Sequence, residues 1–270
     1  MPELPEMENY KLLLGPRLSG HTLTGVEVTR EKSINIPVER FQQALTGQSV
    51  RYLERRGKHL LFHLSGSNVL LLHLMLGGIL YYGTAGQKPD RTVQVTLSFG
   101  GMHLYCIGLR LGYLHFYENP ESVREALEKL GPEPMEPGFT LAHFAELLQK
   151  QKGTLKATWV DQHIMAGIGN CYSDEICFDA GLLPERRCTD LSGEELERLF
   201  HSMRSVLSEA TRYGGYMDMP LFAGDSLTGG YDSRCQVYDR EGEPCLRCGR
   251  PIVRRDVSSK KSFCCLHCQH

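Results

Sequence analysis

No charge of one sign dominates this 270-residue chain: 30 Lys and Arg against 32 Asp and Glu give a formal net charge of −2. Apolar and charged fractions near globular averages exclude disordered, collagen-like and low-complexity classes, and no internal repeat is evident. Long apolar runs are missing too. The longest stretch, Val69 to Leu80, contains His73 and is too short to cross a bilayer. The start, Met1-Pro2-Glu3-Leu4-Pro5-Glu6, is acidic and lacks the apolar core of a signal peptide, so no secretory leader is expected. The near-neutral balance argues at first sight against a nucleic-acid binder. What remains is a globular composition, 41% hydrophobic and 23% charged, long enough for one large or two medium domains.

The average conceals two asymmetries. Arg234 to His270 carries eight Lys/Arg and four Asp/Glu, net +4, whereas the remaining 22 basic and 28 acidic residues give −6. A basic module is thus joined to an acidic body. The ten cysteines are uneven as well. Cys106, Cys171, Cys177 and Cys188 are scattered and Cys235 precedes the terminal module. Cys245, Cys248, Cys264, Cys265 and Cys268 crowd the last 26 residues. Without a leader, a reduced cytosol and a metal site fit better than disulfides. Cys245-x2-Cys248 and Cys265-x2-Cys268, sixteen residues apart, match four-thiolate Zn²⁺ spacing. The x2 interval to Cys268 favours Cys265 over Cys264, and His267 and His270 are weaker ligand candidates. One structural Zn²⁺ would replace the core that so short a segment cannot build.

Periodicity divides the rest. Leu4, Met7, Leu12 and Leu14 predict a helix after Pro2, stopped at Gly15-Pro16. Seven short β-branched or apolar runs follow: 22–29, 50–53, 59–64, 69–73, 79–82, 93–99 and 103–106. They predict a sandwich or barrel, interrupted by a helix at 38–45. Residues 118–130 read as an acidic helix. Gly131-Pro132-Glu133-Pro134-Met135-Glu136-Pro137-Gly138 cannot continue a helix and marks a domain boundary. Helices are expected at about 140–149, 154–163, 170–180 and 191–212. Residues 213–231, rich in Gly and polar residues, read as a mobile loop.

The amino terminus has its own chemistry. Met-Pro is a context from which methionine is usually removed. Removal would free the Pro2 nitrogen, a secondary amine able to attack an electrophilic carbon and form an iminium Schiff base. Glu3 and Glu6 stand beside it to move protons. On these residues alone, an ordinary helix start is by far the stronger explanation.

Several segments together carry a resemblance. They are Pro2-Glu3-Leu4-Pro5-Glu6, Arg55-Arg56-Gly57-Lys58, Leu130-Gly131-Pro132-Glu133-Pro134, Gly167-Ile168-Gly169-Asn170-Cys171-Tyr172-Ser173-Asp174-Glu175, and Val237-Tyr238-Asp239-Arg240-Glu241-Gly242-Glu243-Pro244-Cys245 running into the finger that ends Cys268-Gln269. In this order they resemble the formamidopyrimidine-DNA glycosylase/endonuclease VIII family from residue 2 to 269.

The resemblance implies an α+β fold. Residues 1–131 would form an N-terminal β-sandwich catalytic domain with flanking helices. Residues 132–138 would be a linker, 139–234 a helical helix–two-turn–helix domain, and 235–270 a β-hairpin zinc finger. It implies a bifunctional DNA glycosylase/AP lyase of base-excision repair, excising damaged bases and cutting abasic DNA by elimination. Carried over, Pro2 is the Schiff-base nucleophile and Glu3 the general acid/base. Glu6 positions the centre and Lys58 reaches a phosphate near the lesion. Lys156 and Asn170 grip flanking phosphates, with Gly167 and Gly169 letting backbone N–H groups approach. The partner is double-stranded damaged DNA. The protein is expected to be monomeric, away from membranes, and cytoplasmic in the bacterial manner, associating with the nucleoid when engaged on DNA.

The sequence departs from the family in three places. Lys260, followed by Lys261, stands where members usually carry a phosphate-gripping arginine, so the charge stays and the bidentate fork is lost. Leu76 takes the methionine position of the first base-replacing loop. In Ile107-Gly108-Leu109-Arg110-Leu111-Gly112, Leu109 replaces the arginine that reads the orphaned base and Leu111 the aromatic wedge. Leu can wedge but cannot hydrogen-bond a base, so weak opposite-base discrimination is expected. Leu109 and Leu111 as ordinary core residues is the plainer reading. A damaged-DNA-binding protein with little excision is the alternative function. A zinc-ribbon interaction protein would leave the amino terminus unexplained.

Overall fold

A computed structural model describes all residues 1–270 as two compact units. The first comprises Met1–Lys129 and Tyr213–Gly230, the second Leu130–Arg212 and Tyr231–His270. No helix is long and apolar enough to cross a membrane.

The first unit opens with α1 (Leu4–Leu18), followed by β1 (Gly25–Val28), α2 (Val38–Leu45), β2 (Val50–Arg56), β3 (His59–Leu64), β4 (Val69–His73), β5 (Ile79–Gly83), β6 (Val93–Phe99), β7 (Met102–Ile107), β8 (Tyr113–Tyr117) and α3 (Pro120–Leu127). The strands form two antiparallel four-stranded sheets, ordered β1-β6-β7-β5 and β2-β3-β4-β8. Leu53, Leu60, Phe62, Leu70, Leu72 and Leu114 from one sheet meet Val95, Leu97, Leu104 and Cys106 from the other in one buried cluster. α1 adds Met7, Tyr10, Leu14 and Leu18 to the same cluster. Burying alternate residues of both sheets is what closes a sandwich.

Two local expectations change. α1 runs past Gly15-Pro16 to Leu18. Pro16 lies in the last turn, and Leu14 and Leu18, both fully buried, hold that turn in the core. β8 has no counterpart among the seven runs, because its outward positions are Tyr113, His115 and Tyr117 rather than β-branched residues.

The outer face of the second sheet carries an unusual rung. Pairing puts Arg56 opposite His59, His59 opposite His73 and His73 opposite Tyr113. The His59 and His73 rings lie 4.5 Å apart. His59 Nε2 meets the Tyr113 hydroxyl at 3.0 Å, and Nδ1 lies 3.3 Å from the Arg56 carbonyl oxygen. With Nδ1 donating to that carbonyl, Nε2 accepts from the tyrosine. His73 Nδ1 accepts from Met75 N–H at 3.2 Å.

The second unit holds α4 (Leu141–Gln149), α5 (Leu155–Val160), α6 (Asn170–Asp179), α7 (Gly193–Arg212) and a hairpin of β9 (Val253–Val257) and β10 (Lys260–Cys264). The Leu130–Gly138 segment belongs to this unit and is pinned by Gly131 N–H donating to the Gln162 carbonyl at 2.8 Å. Residues 213–230, grouped from the sequence with the helical segment 139–234, pack instead with the first unit. Nor are they a slack loop. Leu221 is fully buried in the sandwich core, its carbonyl accepts from Tyr82 N–H at 2.6 Å, and Asp225 accepts from the N–H groups of Leu221, Leu227 and Thr228.

Burial holds His59 down at a pKa of about 3 and His73 at about 4, both from 6.5. The fold therefore prefers both rings neutral. The stability this supplies above pH 6.5 is lost as pH falls toward these values, by about 2 kcal/mol per ring at pH 5. Thermal melts at pH 7 and 5 should show this loss, and His59→Gln should make it smaller.

Candidate active site and metal centre

Glu3 caps α1 in a reciprocal arrangement. Its side chain accepts the Glu6 N–H, and Glu6 Oε2 accepts the Glu3 N–H at 2.8 Å. Negative charge at a helix N-terminus is favoured by the helix dipole. Pro2, Glu3 and Glu6 are all buried. Lys58, in the turn joining β2 to β3, is 4% exposed. Burial pulls its ammonium below the ordinary lysine range, while the Glu3 and Glu6 carboxylates oppose that shift. Proline, two carboxylates and a lysine are thus all withdrawn from water in the first unit, with Lys58 close enough to both carboxylates to feel their charge.

Sequence reasoning missed what packs against Glu6. Glu6 Oε1 accepts the Tyr216 N–H at 2.8 Å. A Cβ on Gly215 would lie 2.2 Å from that same Oε1, and Gly215 has φ +78°. The Gly214-Gly215 pair was the available signal, and it marks close approach rather than freedom. Asn9 extends the seal by donating to Thr228 Oγ1 at 2.9 Å. With Met1 attached, the Tyr216 hydroxyl donates to the Met1 carbonyl at 3.3 Å, and the Pro2 nitrogen is an amide without a nucleophilic lone pair.

In the second unit, Lys156 is fully buried. Its Nζ donates to the Asn170 carbonyl (2.9 Å), Ser173 Oγ (2.9 Å) and Asp174 Oδ1 (2.7 Å). All three of its protons are engaged. The expectation that Lys156 grips a phosphate is corrected: it anchors the first turn of α6. Burial pushes Asp174 up to about 6, against the lowering effects of Lys156, Ser262 and Phe263 N–H. Asn170 is half-buried at the first position of α6, with Gly169 as the cap. Gly167 N–H, expected to face phosphate, already donates to Gln162 Oε1 at 2.9 Å. Gln162 also donates to the Ile168 carbonyl at 2.7 Å and so shapes the loop before α6.

Lys260 and Lys261 stand exposed at the start of β10, after a turn in which Ser258 and Ser259 both have positive φ. Leu76 and Leu111 are 63% and 62% exposed. Leu109 is not. It is fully buried in the sandwich core, its N–H donates to Gln94 Oε1 at 2.8 Å, and its carbonyl accepts from Ser33 Oγ at 3.1 Å. The wedge role expected for Leu109 is corrected on that ground.

The Sγ atoms of Cys245, Cys248, Cys265 and Cys268 all lie within 4.8 Å of one another. The Cys245–Cys268 and Cys248–Cys265 separations are 3.9 and 3.5 Å. A tetrahedron with metal–sulfur bonds of about 2.3 Å has edges of about 3.8 Å. The donor set therefore fits one metal ion. Cys264 falls outside the group and is buried. Cys265 N–H donates to Gln269 Oε1, whose amide donates to the Leu182 carbonyl, both at 2.8 Å.

A family model described as the formamidopyrimidine-DNA glycosylase N-terminal domain matches residues 1–112, and one described as its H2TH domain matches residues 130–218. The chain belongs to the formamidopyrimidine-DNA glycosylase family. It is 35% identical over 270 residues to the protein so named from Carboxydothermus hydrogenoformans, covering 100% of both chains. Identity to the Geobacillus kaustophilus protein of that name is 37% over 274 residues, again covering 100% of both. The Lactococcus lactis Fpg (MutM) structure with DNA containing N7-benzyl-Fapy-dG superposes with a TM-score of 0.91 at 28% identity, covering 100% of each chain. That of Lactococcus lactis Fpg with abasic-site DNA gives 0.92 at 28% identity over 99% of each. Membership makes this chain a DNA glycosylase of base-excision repair, and abasic-site lyase activity is typical of the family.

Replacing Lys156 with Met should destabilise the second unit by about 3–5 kcal/mol, because Asp174 is left buried without its counter-charge. Urea denaturation followed by circular dichroism measures it.

Proposed function

We propose that, once Met1 is removed, the Pro2 nitrogen attacks sugar C1′ of a damaged nucleotide and expels the base. The observation that carries this is the joint burial of Pro2, Glu3, Glu6 and Lys58 at the head of α1. A secondary amine yields an iminium that is cationic without a further proton, which acidifies the C2′ hydrogen. Loss of that proton and departure of the 3′ phosphate cleave the strand by β-elimination. Glu3 moves protons to the departing base and the sugar oxygen. Lys58 offers its charge to the phosphate beside the lesion. Glu6, held by Tyr216, orients the centre.

Asn170 and Lys260 are the remaining phosphate ligands of this scheme, and Leu76 and Leu111 fill the gap left by the everted nucleotide. With Leu109 in the core and no polar group on either wedge residue, discrimination of the opposite base is weak. Zn²⁺ is the ion assigned to Cys245, Cys248, Cys265 and Cys268, which together leave no position for substrate. When bound it holds the hairpin that carries Lys260. The substrate is double-stranded damaged DNA, and the protein acts as a cytoplasmic monomer. A pure damage-binding role would have no use for the Pro2, Glu3 and Lys58 set.

Borohydride reduction on abasic DNA should trap one covalent adduct per chain at Pro2 when mass spectrometry confirms Met1 removal, and none when Met1 is retained. No adduct from the processed protein sinks the mechanism. Binding should weaken with added salt, and Lys260→Glu should weaken it more than Lys129→Glu. Equal effects in fluorescence anisotropy mean that the DNA face is misplaced.

A further inference from the structure

With Met1 in place, the Pro2 nitrogen is bonded to a trigonal carbon that carries one oxygen, the carbonyl of the Met1–Pro2 peptide. Attack on a sugar bonds the same nitrogen to C1′, whose other substituents are O4′, C2′ and hydrogen once the base has gone. The Met1 carbonyl carbon therefore stands in for C1′ and its oxygen for O4′. On the sugar, O4′ is the one polar atom two bonds from the nitrogen. The Tyr216 hydroxyl is aimed at this place. It donates to the Met1 carbonyl oxygen at 3.3 Å and accepts from the Met1 amino group at 3.4 Å.

The phenol is carried on fixed backbone. Tyr216 N–H donates to Glu6 Oε1 at 2.8 Å, and Glu6 closes the capping box with Glu3. Gly215 lets the main chain lie directly against the Glu6 carboxylate. On the other side of Tyr216, Met217 and Met219 pack against a buried cluster of Ile79, Val93, Tyr105 and Ile107, and Leu221 lies in the sandwich core. The segment is thus held before and after Tyr216, whose side chain is half-buried. A donor already in place needs no reorganisation when charge develops on its acceptor.

We propose that the Tyr216 hydroxyl donates a hydrogen bond to deoxyribose O4′ and assists opening of the sugar ring, a role additional to those of Glu3, Glu6 and Lys58. This rests on the Pro2 reading above. The Pro2 nitrogen bonds to C1′ and gives its proton to the Glu3 carboxylate. The C1′–O4′ bond then breaks and its electron pair goes to O4′. That oxygen takes the proton back from Glu3, while the nitrogen lone pair makes the C1′=N bond of the iminium. The Tyr216 proton stays on the phenol and stabilises the negative charge on O4′ until the transfer is complete.

The test is Tyr216→Phe, which keeps the ring and the backbone N–H to Glu6 and removes the hydroxyl alone. Chain from which Met1 has been removed is mixed in excess with duplex DNA and borohydride, and the rate of covalent trapping is followed. Two DNAs are compared: a natural abasic site, whose sugar is ring-closed, and its 4′-deoxy analogue, an open-chain aldehyde without O4′. The variant should trap the natural site about tenfold to a hundredfold more slowly. It should trap the analogue at the rate of the unsubstituted chain, which also reports that it is folded with a competent Pro2. Equal rates for the two proteins on the natural site overturn the proposal. So does an equal loss on both DNAs, which places Tyr216 behind Glu6 rather than at the sugar. If the unsubstituted chain traps neither DNA, the Pro2 reading itself fails. If it traps both and the variant keeps pace, this inference alone fails.

Discussion

Two carboxylates and an ammonium are withdrawn from water together at the head of α1, and the first unit is organised around keeping that arrangement balanced. Burying one such charge alone would cost several kcal/mol. Glu3 and Glu6 meet the requirement with backbone N–H groups, their own helix's free donors and that of Tyr216. Lys58 meets it with the opposite charge of both glutamates. The same constraint explains Gly215, where any side chain would collide with Glu6. It also explains why residues 213–230 pack with the sandwich although the chain arrives there from the helical unit.

The second unit solves a parallel problem in the same way. Lys156 and Asp174 are both fully buried, and neighbouring donors and acceptors complete them: Asn170 and Ser173 for the lysine, Ser262 and Phe263 N–H for the aspartate. Glu175, next in line, accepts three successive N–H groups from Gln236, Val237 and Tyr238. α6 therefore ties its own start to α5 through Lys156. Through Asp174 and Glu175 it is tied to the hairpin and to the chain entering it. Asn170 and the four-cysteine centre are joined by electrostatics set into one short helix.

Legibility in the sequence followed the range of the interaction. α2 and most strands were readable because period and punctuation are local, and the thiolate centre because its spacing is. Pro2, Glu3 and Lys58 were nameable only through a resemblance spread along the chain, since a proline and a glutamate at a helix start have an ordinary explanation. Lys156 shows the limit. A lysine in a polar sequence looks like a phosphate ligand until its partner, eighteen residues away, is seen on the facing helix. Leu109 shows the reverse. It sits at a position where a side chain could project, but Ser33 and Gln94 hold its backbone and draw the side chain inward. Neither partner lies close enough in sequence to be inferred.

The net charge of −2 becomes intelligible once charges are sorted by whether the fold uses them. Lys156 is neutralised internally, and Arg186 pairs with Glu195. Such residues contribute nothing to an external field, whichever sign they add to the total. Lys260, by contrast, is exposed and has no internal partner. A few unpaired cations can steer an anionic duplex whatever the total charge. The composition that argues at first sight against DNA is therefore compatible with binding it.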